Sequence, residues 1–112
     1  MKIEYNGYYC EVHRKNHNNY DVGSSYKITS KATGKIVIYW KDWGDWPILL
    51  ALEVLRRLVD IILTEGNVNQ WLIDDEEWIG DTLFFVLKKE WQDETQKRKI
   101  INRLDQLLIK GT

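Results

Sequence analysis

The residues most able to do chemistry are His13, His17 and Cys10, near the start of the chain. Two imidazoles and a thiol could bind a metal ion, and a Cys–His pair could act as a nucleophile and its base. However, the alternation from Tyr8 to Arg14 predicts a strand in which Cys10 points inward, and His17 falls in the polar loop after it. Residues four apart do not share a face across a strand end and a loop. We therefore expect neither a metal site nor a catalytic cysteine.

Residues 31–35, KATGK, end in the Gly-Lys pair of a phosphate-binding loop. The glycine required five positions before Gly34 is Thr29, and Lys35 is followed by Ile36 instead of Ser or Thr. A hairpin turn at Thr33-Gly34 is the better interpretation. No pair of carboxylates has a spacing that demands acid–base chemistry. We expect a protein that is not an enzyme and needs no cofactor or metal.

Binding residues are easier to find, because aromatic and acidic side chains crowd the segment from Tyr39 to Trp46, YWKDWGDW. Trp40 fits the core, and Trp46 could pack on the first turn of the following helix. Trp43 has no periodic reason to be inside, so it is the candidate for an exposed, partner-binding aromatic residue. In the alternative, all three tryptophans seal the end of the core. The predicted partner-binding residues are Tyr39, Asp42, Trp43, Asp45, Asp74, Asp75, Glu76 and Glu77.

Two functions fit these features. The first is a small protein that binds another protein, most concretely a stoichiometric inhibitor or immunity-type antidote whose acidic rim meets a basic nucleic-acid-binding enzyme or toxin. The second is nucleic-acid binding by the amino-terminal sheet, with lysines on phosphates and tyrosines stacked on bases. The residues concerned are Lys27, Lys31, Lys35, Lys41, Tyr9 and Tyr39. A homodimer, through the 100–108 helix or the Val37/Tyr39 face, is compatible with either.

A long apolar helix from about residue 46 to 65 organises the predicted fold. Asp45 is the expected N-cap, Pro47 lies in the first turn, and Gly66 is the expected C-terminal stop. Glu53, Arg57, Asp60 and Thr64 are predicted to form a narrow exposed stripe with Arg56 beside it, held by Glu53–Arg57 and Arg56–Asp60 pairs. These charges argue against a membrane span.

Residues 2–41 predict an antiparallel sheet of three to four strands before that helix. Asn6-Gly7 indicates a hairpin turn. The strand from Lys35 to Lys41 is apolar on both faces, so it is expected to be central, with Ile36, Ile38 and Trp40 against the helix.

Two further helices are predicted, at about 75–91 and 94–110. Carboxylates at Asp74–Glu77 favour a helix start, although 82–87 could also be a strand. The first helix would bury Ile79, Leu83, Val86, Leu87 and Trp91. The second begins with an Asp93/Gln96 capping box, carries an apolar stripe and ends at Gly111. The stripe consists of Ile100, Ile101, Leu104, Leu107 and Leu108.

The chain of 112 residues predicts one α+β domain, residues 1–112, with helices on one face of the sheet. A single cysteine and the lack of an apolar leader in the first 20 residues indicate the cytoplasm. Residues 1–41 hold seven Lys/Arg against three Asp/Glu, whereas the remainder holds nine against fourteen, which leaves room for a charged partner. The composition suits a bacterial or phage accessory protein.

Overall fold

The computed structural model describes residues 1–14, 23–42, 47–65 and 76–109, and within them a sheet is followed by three helices. This α+β order confirms the predicted fold class. The strands are β1 (Lys2–Tyr5), β2 (Tyr8–Arg14), β3 (Ser24–Ser30) and β4 (Ile36–Asp42). The helices are α1 (Ile48–Glu65), α2 (Glu76–Gln92) and α3 (Glu94–Leu107).

The four strands pair antiparallel in their sequence order, β1-β2-β3-β4. Asn6 and Gly7 take φ angles of 48° and 87°, which confirms the predicted turn between β1 and β2. The inner face of the sheet carries a cross-strand row of buried residues, and the helices pack against this face. The row consists of Ile3, Cys10, Ile28 and Ile38.

The prediction that the fourth strand is central was wrong, because β4 pairs only with β3 and lies at the edge of the described sheet. Ile38 and Trp40 are buried as predicted, and the Trp40 ring stacks on Tyr26 with centroids 4.7 Å apart. Ile36, however, is 57% exposed. The register shifts at Ile28/Thr29, so that Ile36 pairs with Thr29 and leaves the inner face.

Helix α1 is the centre of the core, as predicted. Eight of its apolar side chains are buried: Leu50, Ala51, Leu52, Val54, Leu55, Leu58, Val59 and Ile62. The helix begins with a hydrogen bond from the Ala51 amide to the Pro47 carbonyl, while the predicted caps Asp45 and Gly66 lie outside the described residues. The predicted exposed stripe was wrong in part, because Glu53 and Arg56 are buried at 0% and 6% exposure. One side of the stripe therefore faces the protein interior.

Helix α2 settles the choice between helix and strand at residues 82–87 in favour of the helix. Leu87 is buried, and Leu83 and Trp91 pack at the margin of the core. Val86 was predicted to be buried, but it is 56% exposed. Its position is 100° around the helix from Leu87, which is enough to turn it away from α1. The side chain of Ile79 lies outside the described part.

Helix α3 begins at the predicted N-cap. The Asp93 carboxylate accepts hydrogen bonds from the Thr95 and Gln96 amides at 2.9 and 3.1 Å. Ile100 and Leu104 are buried, and Leu107 and Leu108 pack at the core margin. The helix ends at Leu107, earlier than predicted, because the chain then turns onto the edge of β1. The expected stop at Gly111 lies beyond the described residues.

Candidate functional site

Chemically useful side chains gather on the face of the sheet opposite the helices, which we call the outer face. Strand alternation and register place its members together. They are Lys2, Glu4, Tyr9, Glu11, His13, Ser25, Lys27, Thr29, Ile36, Tyr39 and Lys41. None of the described helices packs on this face, because the buried row and the helices lie on the inner one.

Tyr39 is the most exposed aromatic residue of the described strands, at 42% of its surface. It lies opposite Lys27 in the register, at the middle of β4, with the 57% exposed Ile36 nearby on the same strand. Its backbone is held by β3 on one side, so the ring is presented from a rigid strand. An exposed aromatic on a rigid support is the usual anchor of a protein-binding surface.

The charged residues of the outer face are largely paired with each other. Lys27 lies 3.3 Å from a carboxylate oxygen of Glu11, and the His13 imidazole lies 3.6 Å from the other. Lys31, in the turn after β3, donates a 2.6 Å hydrogen bond to Glu4. This hydrogen bond and the Glu4 charge raise the pKa of Lys31. Carboxylates thus neutralise part of the positive charge that the lysines bring.

Tyr9 lies on the same face as Tyr39, on β2, with one strand between them. Two strand spacings across the sheet and a two-residue offset along it separate them by about 12 Å. The Lys2 ammonium lies 4.3 Å from the centroid of the Tyr9 ring, a cation–π contact that covers one side of the ring. Tyr39 is therefore the more accessible of the two rings.

Of the predicted partner-binding residues, Tyr39 is the one whose side chain is described, and it is exposed as expected. Asp42 ends β4, and Glu76 and Glu77 begin α2, but their side chains are outside the described part. The remaining members lie outside the described residues altogether: Trp43, Asp45, Asp74 and Asp75. Their exposure and their role in binding stay predictions.

On the inner side, charged residues form a second group that was predicted to be an exposed stripe, and we call it the buried ionic cluster. Its centre is Glu53, whose carboxylate oxygens accept hydrogen bonds from Arg56 Nε at 2.9 and 3.1 Å. Arg57 Nε lies 3.4 Å from Glu53, and Arg103 of α3 lies 3.5 Å from it. Arg57 also donates to Glu90 of α2 at 2.7 Å. The cluster therefore links all three helices.

The cluster extends to the sheet through Asp60 and Tyr5. Asp60 accepts a 2.7 Å hydrogen bond from the Tyr5 hydroxyl and a 3.2 Å bond from Arg56 Nη1. The bond to Asp60, with partial burial, raises the pKa of Tyr5. Burial alone would lower the pKa of Arg56, but the hydrogen bond and charge of Glu53, with the charge of Asp60, outweigh it and raise that pKa. Both groups are fixed in their ordinary protonation states.

A signal for the cluster exists in the sequence. A helix whose circumference is almost wholly apolar must be covered on more than one side, and a four-residue charged stripe on it can then lie under a neighbouring helix. The i,i+4 pairs Glu53–Arg57 and Arg56–Asp60 formed as predicted. The distant partners Tyr5, Glu90 and Arg103 could not be read from local spacing.

The residues first considered for catalysis are not brought together. Cys10 is fully buried, and burial raises the pKa of its thiol to about 12, so it stays protonated and unreactive. His17 lies outside the described residues. In the turn at 31–35 the Gly34 amide donates to the Ser30 carbonyl and the Lys35 amide to Thr33 Oγ1, which confirms a hairpin turn. Across the described ranges, no three His, Cys, Asp or Glu side chains converge as a metal site would require.

Comparison with protein-family models, with curated proteins and with solved structures finds no match to this chain. Among the helices that the structure describes, none combines the length and the apolar character needed to cross a membrane.

Proposed function

We propose that this protein acts by binding another protein through the outer face of its sheet, with Tyr39 as the anchor. The observation that carries the proposal is the 42% exposed ring of Tyr39 on the rigid β4, next to the exposed Ile36. Tyrosine offers a large contact area and a hydroxyl donor, and it loses little entropy when it is immobilised. The paired charges around it leave little net field to attract phosphates, but they give a polar rim of the kind that surrounds protein interfaces.

The most concrete form of this function is a stoichiometric inhibitor or immunity-type antidote. In the sequence, β4 ends at Asp42 and is followed by Trp43 and Asp45, and four further carboxylates occupy positions 74–77. Such a concentration of negative charge would complement a basic nucleic-acid-binding enzyme or toxin and occupy the positions that phosphates take there. Charge would guide the encounter, and the aromatic anchor would act as a hot spot for affinity.

The test is capture of the partner with matched baits. The full chain, Tyr39→Ala and Thr29→Ala would each be used to recover proteins from nuclease-treated lysate. Thr29 lies on the same outer face in β3, so it controls for a general change of that surface. We expect Thr29→Ala to retain the partner and Tyr39→Ala to weaken binding by at least about 30-fold, the equivalent of a hot spot of about 2 kcal/mol.

Two further baits test the acidic rim, Trp43→Ala and a fourfold change at 74–77 to neutral amides. We expect both to lose a basic partner, and the second to slow association most at low salt. If wild type, Tyr39→Ala, Trp43→Ala and the fourfold variant recover the same proteins in the same amounts, the proposed surface is wrong.

Nucleic-acid binding is the second candidate, and the presence of Tyr9 and Tyr39 on one open face with Lys2, Lys27 and Lys41 favours it. Against it stand the Glu11 carboxylate on Lys27 and the Glu4 carboxylate on Lys31, which would repel phosphates. Fluorescence anisotropy with a single-stranded oligonucleotide separates the two functions. Binding that falls steeply with salt and is lost in Tyr9→Ala would favour nucleic acid over protein.

A further inference from the structure

The residues of the outer face form three rows that run across the strands. The strand register places four residues in the first row: Glu4, Tyr9, Thr29 and Ile36. It places four more in the second row: Lys2, Glu11, Lys27 and Tyr39. The third row crosses β2, β3 and β4 and consists of His13, Ser25 and Lys41. Each of these three side chains can donate a hydrogen bond, so we call this row the donor row.

The carboxylates of the outer face lie in the other two rows and already have cationic partners. Glu4 accepts the 2.6 Å hydrogen bond from Lys31. Glu11 lies 3.3 Å from the Lys27 ammonium, and its other oxygen lies 3.6 Å from the His13 ring. Lys41 is exposed and forms no ion pair with another residue of the described ranges. The donor row therefore carries positive charge that the carboxylates of the outer face do not neutralise.

The spacing of the donor row suits one small anion. Neighbouring strands lie about 4.8 Å apart, so His13 and Lys41 are about 10 Å apart with Ser25 midway between them. A group placed over the Ser25 hydroxyl is within reach of both longer side chains, and the His13 side chain is 60% exposed. An ammonium group is a donor only, so the complement of the row is a group that has several acceptor oxygens and a negative charge.

We propose that the donor row binds an acidic side chain, Asp or Glu, of the protein partner that contacts Tyr39. This inference rests on the proposed function, because Lys41 lies two residues beyond Tyr39 on the same face of β4, about 7 Å away. A partner that covers Tyr39 therefore also covers Lys41. An ammonium group that loses water without gaining an acceptor weakens binding, so the partner must place a carboxylate there.

The first test uses capped hexapeptides of glutamate and of glutamine as probes, with inorganic phosphate as a third, at constant ionic strength. Amide chemical shifts from nuclear magnetic resonance locate the binding. We expect the glutamate peptide to shift the amides of His13, Ser25 and Lys41, and the glutamine peptide to leave them unchanged. Lys41→Gln and Ser25→Ala should each raise the dissociation constant of the glutamate peptide about three- to tenfold, because each removes one hydrogen bond to the anion. Lys35→Gln is the matched control, since it removes an exposed lysine at the other end of β4 and should have little effect.

The second test uses the protein partner recovered with the wild-type bait. Lys41→Glu places a carboxylate against the acidic side chain of the partner and should raise the dissociation constant at least about tenfold, with the largest effect at low salt. Lys35→Glu makes the same charge change at the other end of β4 and should have a much smaller effect. Circular dichroism of each variant verifies that the fold is retained.

A glutamate peptide that leaves the donor row unshifted, or that binds Lys41→Gln as well as wild type, overturns the proposal. Phosphate that shifts the row where the glutamate peptide does not also overturns it, because the row would then bind a phosphate group. The outcome is separate from the proposed function: a partner that is lost in Tyr39→Ala and fully retained in Lys41→Glu and Ser25→Ala refutes the donor row alone. A glutamate peptide that binds the row, together with a partner that Tyr39→Ala retains, refutes the Tyr39 anchor and leaves the anion site intact.

Discussion

Removing one member of the Glu53–Arg56 pair should destabilise the fold more than removing both. Glu53 is fully buried and Arg56 is 6% exposed, so Glu53→Met would leave a guanidinium in the interior without its main partner. Removing one partner of a buried ion pair lowers the free energy of unfolding by about 3–5 kcal/mol, because the other charge stays buried without its partner. A domain of this length has a free energy of unfolding of about 6–17 kcal/mol, so the change removes a large part of it. Arg56→Met should cost a similar amount, because it leaves the Glu53 carboxylate short of a partner.

The double variant, Glu53→Met with Arg56→Met, should be at least as stable as Glu53→Met alone. Two apolar side chains of similar length then fill the site, and no buried charge is left without a partner. Arg57 retains Glu90 at 2.7 Å, Asp60 retains the Tyr5 hydroxyl at 2.7 Å, and Arg103 is about half exposed and can turn to water. We expect a coupling free energy of about 2–3 kcal/mol between positions 53 and 56.

Urea unfolding followed by tryptophan fluorescence and far-ultraviolet circular dichroism measures all four members of this cycle. A loss of about 4 kcal/mol lowers the urea midpoint by about 2 M at a slope of about 2 kcal/mol per molar urea. Asp60→Asn is the control, since Asp60 is 46% exposed and should cost far less. Strictly additive effects, or a Glu53→Met protein with the wild-type midpoint, would refute the assignment of this pair to the interior.

Three further tests address other parts of the fold. Burial raises the pKa of the Cys10 thiol from 9.0 to about 12 in the folded protein. The protonated thiol therefore contributes its full stabilisation below pH 9, and this stabilisation is lost as the pH rises towards 12. Over this range the urea midpoint should fall less in Cys10→Ala than in wild type. Asp93→Ala removes the side-chain acceptor of the Thr95 and Gln96 amides and should lower the free energy of unfolding in urea by about 1 kcal/mol. Asp93→Asn keeps an oxygen acceptor and should lose little stability, so equal losses in the two variants would show that the cap is not the cause. Because Ile38 is buried and Ile36 is exposed, Ile38→Ala should lower the free energy of unfolding by about 2–5 kcal/mol and Ile36→Ala by less than about 1 kcal/mol. Thermal unfolding of both variants measures the two losses. A larger loss in Ile36→Ala would mean that the register shift between β3 and β4 is misplaced.

The sequence predicted the structure correctly where the conformation of a short segment depends on neighbouring residues alone. Asn6-Gly7 sets the first turn, and Asp93 caps α3, because each acts on residues within three positions of itself. The apolar periodicity of 48–63 identified α1 as the core helix, since a helix that is apolar around most of its circumference must be covered on more than one side. The same periodicity correctly favoured a helix at 82–87.

The candidate site was predictable only in part. Tyr39 was expected to be exposed because it alternates with buried neighbours, and the structure agrees. The position of β4 was not predictable from its apolar content on both faces: β4 is an edge strand, and its second apolar face is the exposed surface that holds Tyr39 and Ile36. Whether an apolar strand is central or at an edge depends on what lies beside it, and local alternation carries no information about that.

The amino-acid sequence by itself determined the order of strands and helices, the turns at Asn6-Gly7 and Thr33-Gly34, the Asp93 cap and the central helix. Only the tertiary structure decided that Glu53 and Arg56 are interior, because their burial depends on Arg103 and Tyr5, which lie far from them in the chain and contact them only after the helices pack. The same holds for the position of β4 at the edge of the described sheet. Periodicity reports which residues share a face, whereas the assembly of the elements determines what that face meets.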